Sequence, residues 1–171
     1  CRTMIKQLST NGYQLSDVFE PDHLAVLTKQ IDTFTPDFIQ PHPDGRREKL
    51  AILDIGDPTN IRPTVTELIL QITPNLRYIS SIELWRDYPG YTNSDHIDSS
   101  EIENIMILYF DTGNNILGTR WFDPDEYSVP YKANSGLMLL NSDKILHGLC
   151  GAVSGVEYRK AMYINWKTIR G

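Results

Sequence analysis

Apolar and polar positions follow different patterns in the two parts of the chain, and the first part has the helical one. A stripe of apolar side chains at three- and four-residue spacing predicts a helix within 16–34, with proline at a first helical position. A second helix is predicted over 62–72, again with proline near its start. Between them lies "TPDFIQPHPDGRREK", whose prolines and charges predict an irregular, solvated loop. The stripe of the first helix consists of Leu24, Leu27, Ile31 and Phe34.

From about residue 77 the pattern changes to short apolar segments separated by turns. The segments are "RYISSIELWRDY", "NIMILYFD", "GTRWF", "GLMLLN" and "KAMYINW", and most are bounded by Pro, Gly, Asn or Asp. Several strands at this spacing predict a β-sandwich or a barrel. We therefore expect one domain, 1–171, with a helical part at about 16–72 and a β-rich core at about 78–167.

Composition and charge narrow the class of protein only slightly. The chain is 40% hydrophobic and 22% charged, which is typical of a folded globular domain. Its formal net charge of −6 argues against a nucleic-acid partner, which would favour a basic surface. No segment has the length of a membrane span or the composition of an export leader, so we expect a soluble, cytoplasmic protein. The chain begins with Cys1 rather than methionine, which suggests an incomplete start.

The stretch "YPGYTNSDHID" carries the first candidate for chemistry. A strand places residues i and i+2 on one face, so His96 and Asp98 would point the same way, as two ligands of one metal must. His147 follows the predicted strand "GLMLLN" and a turn. Two imidazoles and one carboxylate can occupy one face of an octahedral metal and leave three positions open, the arrangement of non-haem Fe(II) oxygenases. Zn²⁺ is the competing metal for the same ligand types.

Arg159, in "EYRKAMYINW", is the second candidate. It lies in a predicted strand, where an unpaired charge is costly. This arginine either pairs with an acidic side chain at a sheet edge or presents its planar guanidinium to a carboxylate ligand. The residue alone leaves both interpretations open.

Taken in order, these motifs resemble the 2-oxoglutarate- and Fe(II)-dependent dioxygenases, and within them the prolyl 4-hydroxylase-like group. The matching elements are "DYPGYTNSDHID", "NIMILYFD", "LGTRWF", "SGLMLLN", "LHG" and "GVEYRKAMYINW", which cover roughly residues 78–167. The resemblance implies a mainly β fold with flanking α-helices, a double-stranded β-helix (jelly-roll or cupin-like) barrel. It also implies an enzyme that hydroxylates an unactivated C–H bond, with a prolyl residue of a peptide or protein as the expected substrate and with release of succinate and CO₂.

The same resemblance assigns roles to individual residues. It implies that His96, Asp98 and His147 hold Fe(II), with O₂ as a cosubstrate and ascorbate as an optional reductant. It also implies that Arg159 pairs with the distal carboxylate of 2-oxoglutarate. These four residues form the expected catalytic set.

Two tyrosines complete the expected cosubstrate site. Tyr109 ends "NIMILY", where the hydroxylases often place a tyrosine that hydrogen-bonds the 2-oxoglutarate carboxylate, and Tyr88 precedes the Pro-Gly turn. Tyrosine is also a common strand residue, so either ring could serve only for packing.

Other functions remain open at this point. A small-molecule or free amino-acid hydroxylase is an alternative within the same chemistry, because the loops carry no recognisable peptide-binding signature. A jelly-roll binding module with a metal site but no turnover is the alternative from another class, and a zinc hydrolase is a third. Trp121 and Tyr91 are candidates for the entrance of the site, and Arg120 could face a substrate, whereas Trp85 is expected in the core.

Overall fold

The computed structural model describes residues 3–52, 61–110, 118–155 and 157–169. It contains both predicted helices, α1 (Pro21–Thr33) and α2 (Arg62–Ile72), each with proline in its first turn. Within these ranges neither helix combines the length and the hydropathy that crossing a membrane requires. Both helices pack their apolar faces on one side of a large β-sheet.

The large sheet has eight antiparallel strands. In chain order these are β1 (Met4–Gln7), β2 (Gly12–Ser16), β3 (Phe38–His42), β4 (Gly45–Ala51), β5 (Leu76–Asp87), β6 (Asn104–Tyr109), β9 (Ser135–Leu140) and β11 (Arg159–Thr168). Their order across the sheet is β1-β2-β9-β6-β11-β5-β4-β3. Strands distant in sequence are therefore neighbours, as in a jelly roll.

A smaller sheet faces the large one. It consists of β7 (Thr119–Phe122), β8 (Glu126–Val129) and β10 (His147–Leu149) in the order β10-β7-β8. A β-bridge between His96 and His147 extends it by one short extended segment. The two sheets form the double-stranded β-helix that the sequence motifs predicted, and this prediction is confirmed.

The alternation of side chains along the central strands separates two cores. On β6, Met106 and Leu108 pack under the helices, whereas Ile105, Ile107 and Tyr109 point between the two sheets. β11 has the same alternation, with Met162, Ile164 and Trp166 on the helix side. The opposite face of β11, which begins with Arg159 and Ala161, therefore looks into the space between the sheets.

The prediction of a loop at "TPDFIQPHPDGRREK" is wrong, because much of this stretch forms the hairpin of β3 and β4. Its charges do not all face solvent: Arg47 is 4% and Glu48 8% exposed. In the register of β4 and β5 they stand opposite Asp87 and Arg86, their ion-pair partners. Charge indicates a loop only when it is solvated, and here the neighbouring strand neutralises it. The N-terminal hairpin of β1 and β2 was not predicted either.

Two glycine turns hold the β3–β4 hairpin close to the segment that leads to His96. A side chain at Gly45 would place its Cβ 2.3 Å from the backbone nitrogen of Tyr91, and one at Gly90 would place it 1.8 Å from the carbonyl oxygen of Asp44. Gly90 also has a φ of +92°, which favours glycine. The Pro-Gly turn thus fixes both the entry to "YTNSDHID" and the tip of the β3–β4 hairpin.

Candidate metal and cosubstrate site

A cavity of about 340 Å³ opens between the two sheets, and we call it the central cavity. The large sheet contributes side chains from β4, β5, β6 and β11, and the small sheet contributes His147 and its neighbours. This volume lies at the lower end of the range for small-molecule sites. All three predicted metal ligands and Arg159 line it.

His96, Asp98 and His147 converge at one point of the central cavity. Asp98 Oδ1 lies 3.3 Å from His96 Nε2, and Asp98 Oδ2 lies 3.4 Å from His147 Nε2. The three candidate ligand atoms, one from each residue, all lie within 4.8 Å of one another. Reciprocal backbone hydrogen bonds between His96 and His147, of 2.8 and 2.9 Å, hold the two histidines together.

Both imidazoles are oriented by backbone carbonyls. His96 Nδ1 lies 2.8 Å from the carbonyl oxygen of Ser94, and His147 Nδ1 lies 2.7 Å from that of Ile145. A hydrogen bond from Nδ1–H to a carbonyl fixes the tautomer and leaves Nε2 as a free electron-pair donor. In both rings the nitrogen that faces Asp98 is therefore the one suited to a metal.

The electrostatics of the triad favour an ionised carboxylate. Burial raises the pKa of Asp98, but its interactions with His147 and His96 outweigh burial and hold this pKa well below the ordinary range. The hydrogen bond with Asp98 raises the pKa of His96 above 6.5, and partial burial opposes this shift. The triad therefore presents an anion and two imidazoles to whatever binds between them.

These residues fit a metal ion. Ligands at about 2.1 Å on adjacent corners of an octahedron are roughly 3 Å apart, and the separations of 3.3 and 3.4 Å approach that value. Asp98 Oδ2 is also shielded from solvent and makes no hydrogen bond within the described part of the chain. A buried carboxylate oxygen without a donor is costly, and a cation would satisfy it.

Arg159 lines the same cavity, where it is bonded to Asp87, an acidic residue that sequence analysis did not identify. Its Nη2 donates to Asp87 Oδ2 at 2.9 Å. Asp87 is fully buried and also accepts two hydrogen bonds from Arg47, from Nε to Oδ1 at 2.6 Å and from Nη2 to Oδ2 at 3.0 Å. Burial raises the pKa of Asp87, and the two arginines more than reverse this effect. Two guanidinium groups thus enclose one carboxylate.

The two predicted tyrosines occupy different environments. Tyr109 is fully buried, its hydroxyl lies 2.5 Å from that of Thr119, and Arg159 stands 5.7 Å from its ring centroid. Neither tyrosine is among the residues that line the central cavity, and the Tyr88 hydroxyl donates to Glu48 at 2.6 Å. Contact of Tyr109 or Tyr88 with the cosubstrate stays a prediction.

The residues expected at the entrance of the site lie in different places. Tyr91 lines the central cavity, whereas Trp121 is fully buried in the core. Trp85 is 7% exposed, as a core residue should be, yet one face of it also lines the cavity. Arg120 is paired with Asp95 at 2.7 Å and does not line the cavity.

Sequence analysis missed the two cations that β4 sends into the central cavity, Arg47 and Lys49. Their i, i+2 spacing within "GRREKLA", followed by apolar residues, is the period of a strand. That signal was present, but the neighbouring prolines and the density of charge outweighed it.

Comparison with known proteins gives the same fold. No family model and no curated protein matches the sequence. Among solved structures, the chain is similar to the non-haem α-ketoglutarate-dependent epimerase SnoN from nogalamycin biosynthesis, with a TM-score of 0.74 and 11% identity over 92% of this chain and 78% of that one. A Pseudomonas putida prolyl-4-hydroxylase aligns with a TM-score of 0.69 and 16% identity over 95% of each chain.

HygX from Streptomyces hygroscopicus, solved with nickel and 2-oxoglutarate bound, is a third similar structure. Its TM-score is 0.71, with 10% identity over 94% of this chain and 84% of that one. At these identities the likeness establishes the fold. The assignment of chemistry rests on the residues of the central cavity.

Proposed function

We propose that the protein is an Fe(II)- and 2-oxoglutarate-dependent dioxygenase that hydroxylates an unactivated C–H bond. The observation that carries the proposal is the convergence of His96, Asp98 and His147, with both Nε2 atoms and a buried carboxylate oxygen facing one point. This set supplies three ligands on one face and leaves the other positions for cosubstrate and O₂. A zinc hydrolase would use the same ligands but would give Arg159 no role beyond its ion pair with Asp87.

The charges of the central cavity support a dianionic cosubstrate. Among the described residues that line the cavity, three side chains are cationic and two are anionic, and the buried carboxylate bonded to both arginines balances the third cation. A divalent metal adds two positive charges, and the dianion 2-oxoglutarate removes them. These side chains are Arg47, Lys49, Arg159, Glu83, Asp87 and Asp98.

The placement of the protein groups supports the following roles. Asp98 and the two imidazoles bind the metal, and the carbonyls of Ser94 and Ile145 keep the imidazoles oriented. Arg159 orients the cosubstrate by pairing with its distal carboxylate. Fe(II) and 2-oxoglutarate, when bound, supply the activation of O₂, so that one oxygen atom enters succinate as CO₂ is released and the other is inserted into the substrate C–H bond.

The substrate is the finer part of the proposal. The resemblance of the motifs and the likeness to a prolyl-4-hydroxylase support a prolyl residue in a peptide or protein. A small-molecule substrate is the second candidate, because HygX has been solved with hygromycin B and SnoN with nogalamycin RO. The small volume and polar wall of the central cavity favour the second candidate.

The test is an anaerobic titration of the Fe(II)-loaded protein with 2-oxoglutarate, followed by the visible metal-to-ligand charge-transfer band. We expect a saturable band in the wild type, a weaker affinity in Arg159→Ala and no band in His96→Ala. Arg77→Ala is the matched control, because it removes an exposed arginine that does not line the cavity. Succinate formation under air is measured in parallel.

A folded, iron-loaded wild type without this band would overturn the proposal and leave a metal-bearing binding domain as the better account. A band that Arg159→Ala does not weaken would leave the iron site in place and reject the role of the arginine. Each variant is checked for folding by thermal denaturation, because Arg159 is 2% exposed and its loss also disturbs Asp87.

A further inference from the structure

We infer that the substrate subsite of the central cavity is built for a free α-amino acid, with Lys49 binding its carboxylate and Glu83 binding its ammonium group. This inference rests on the proposed function and selects a small-molecule substrate over a prolyl residue of a peptide. Both side chains line the cavity and come from adjacent strands, Lys49 from β4 and Glu83 from β5. Neither was assigned a role above.

Lys49 is a cation whose surroundings suit an anionic ligand. Its Nζ lies 5.2 Å from the ring centroid of Trp85 and 5.6 Å from that of Phe38. Within the described residues no carboxylate oxygen lies within ion-pairing distance of this ammonium group. Lys49 is partly buried, and this burial lowers the pKa of its ammonium group. A ligand carboxylate would supply the hydrogen bonds that the ammonium group lacks.

Glu83 offers the opposite charge on the same wall. Its Oε1 accepts a hydrogen bond from Trp85 Nε1 at 3.0 Å, which fixes the side chain, and its other oxygen makes no hydrogen bond to any described residue. The charge of Glu83 partly opposes the effect of burial, which lowers the pKa of Lys49 overall. The two groups are therefore electrostatic neighbours, although they form no direct ion pair. The wall therefore presents a cation and an anion that are near each other but not in contact. A zwitterion complements that pattern.

The two arginines of the cavity are already engaged. Arg47 is bonded twice to Asp87, and Arg159 is bonded to the same carboxylate and is the expected partner of the cosubstrate. Along β4, Lys49 lies two residues from Arg47 on the same face, opposite Trp85 of β5. On β4, Arg47 is therefore held by the buried ion pair with Asp87, whereas Lys49 is available to bind a substrate.

An aromatic surface lines the same cavity as this pair and the metal site. Trp85 and Tyr163 stack with centroids 4.5 Å apart and an interplanar angle of 11°. Both rings line the central cavity together with Asp98 of the triad. An amino acid anchored at Lys49 and Glu83 would lay its side chain along this surface toward the triad. The metal would then face a C–H bond of that side chain.

The same two charges discriminate against a residue within a peptide. Inside a polypeptide, the amino and carboxyl groups of a residue are neutral amides, so Lys49 and Glu83 would be desolvated without a charged partner. A site built to pair with a charged group rejects an analogue that lacks it, because its own groups are then left unpaired. A free amino acid satisfies both.

The test measures binding of the common L-amino acids to the anaerobic complex of protein, Fe(II) and 2-oxoglutarate by calorimetry. For each that binds, its N-acetyl methylamide serves as a mimic of a peptide residue. One charged hydrogen bond is worth about ten- to a hundredfold in affinity. We expect at least one free amino acid to bind, and its diamide, which loses both charged contacts, to bind at least about a hundredfold more weakly. Lys49→Met and Glu83→Gln should each weaken the free amino acid by the factor of one such bond, and Lys49→Arg should restore most of the affinity.

The matched control is Lys29→Met, because Lys29 lies on α1 and does not line the cavity. The charge-transfer band of each variant with 2-oxoglutarate establishes that it is folded and loaded. The inference is rejected if the loaded wild type binds none of the amino acids, if the diamide binds as well, or if Lys49→Met binds normally. Absence of the band in the wild type would instead reject the proposed function itself.

Discussion

Replacement of Arg47 by methionine tests whether the buried ion pairs hold the β3–β4 hairpin on the barrel. Arg47 is 4% exposed and Asp87 is fully buried, and their two hydrogen bonds measure 2.6 and 3.0 Å. Removing one partner of a buried pair costs about 3–5 kcal/mol when the other charge is left uncompensated. We expect the lower end of that range, about 3 kcal/mol, because Arg159 still pairs with Asp87 in this variant. Methionine keeps most of the contact with Trp85, over which the guanidinium lies at 3.6 Å, so the change mainly reports the charge.

The assay is urea unfolding at neutral pH, with Arg46→Met as the matched control. Arg46 has a 48% exposed side chain and lies 3.5 Å from Glu48, so its loss should cost no more than about 1 kcal/mol. A double-mutant cycle of Arg47→Met with Asp87→Asn should give a coupling free energy of about 1–3 kcal/mol. The reasoning is refuted if Arg47→Met costs as little as the control and the cycle is additive.

The pH dependence of this difference has a definite sign. The folded pKa of Asp87 is depressed from its ordinary value of 3.8, so its contribution to stability is present above pH 3.8 and is lost as the pH falls through the folded pKa. In Arg47→Met that folded pKa must be higher, because the arginine that lowers it is gone. The gap in unfolding free energy between wild type and variant should therefore narrow as the pH falls below 3.8. A gap that stays constant there would show that lost packing, and not lost charge, causes the destabilisation.

Three further outcomes are expected at the metal site. Removing the metal with a chelator should lower the free energy of unfolding. The loss should be about 2.7 kcal/mol when the free metal had been at about a hundred times its dissociation constant. An unchanged urea midpoint would contradict this. The raised pKa of His96 means that protons compete for its Nε2, so iron affinity, measured by titration, should fall about tenfold per pH unit below that pKa, and a flat profile would argue against this ligand. Gly148→Ala should weaken iron binding, because its Cβ would lie 2.7 Å from the carbonyl oxygen of Asn93 and 2.9 Å from the nitrogen of Asp95, just before His96; normal affinity in this variant would show that the segment can shift.

Local patterns were sufficient to predict several elements. The apolar stripe within 16–34 and the proline-led segment at 62–72 became α1 and α2, because amphipathic periodicity depends only on residues a few positions apart. The short apolar segments became the strands of the barrel for the same reason. The i, i+2 spacing predicted that His96 and Asp98 point the same way if they lie on a strand. Only His96 makes a β-bridge, yet Asp98 Oδ1 does lie 3.3 Å from His96 Nε2.

The stretch 38–51 shows where local patterns fail. Read alone, its prolines and charges predict a solvated loop, but the stretch is a hairpin at the edge of the large sheet. The neighbouring strand β5 accounts for this outcome, since it presents Asp87 and Arg86 in register with Arg47 and Glu48. Whether a charged residue is solvated or paired is a property of its neighbour in space, and no short window of sequence contains both.

The order of residues alone was enough to predict the ligand types of the candidate metal centre, the two helices, the strand-rich core and an arginine at the start of the last strand. Three features of the site needed the folded arrangement: His147 meets His96 across a β-bridge, Arg159 shares Asp87 with Arg47, and Lys49 and Glu83 face the same cavity. The difference arises because hydrophobic periodicity is a short-range signal. The site, in contrast, is assembled by pairing strands that lie tens of residues apart along the sequence.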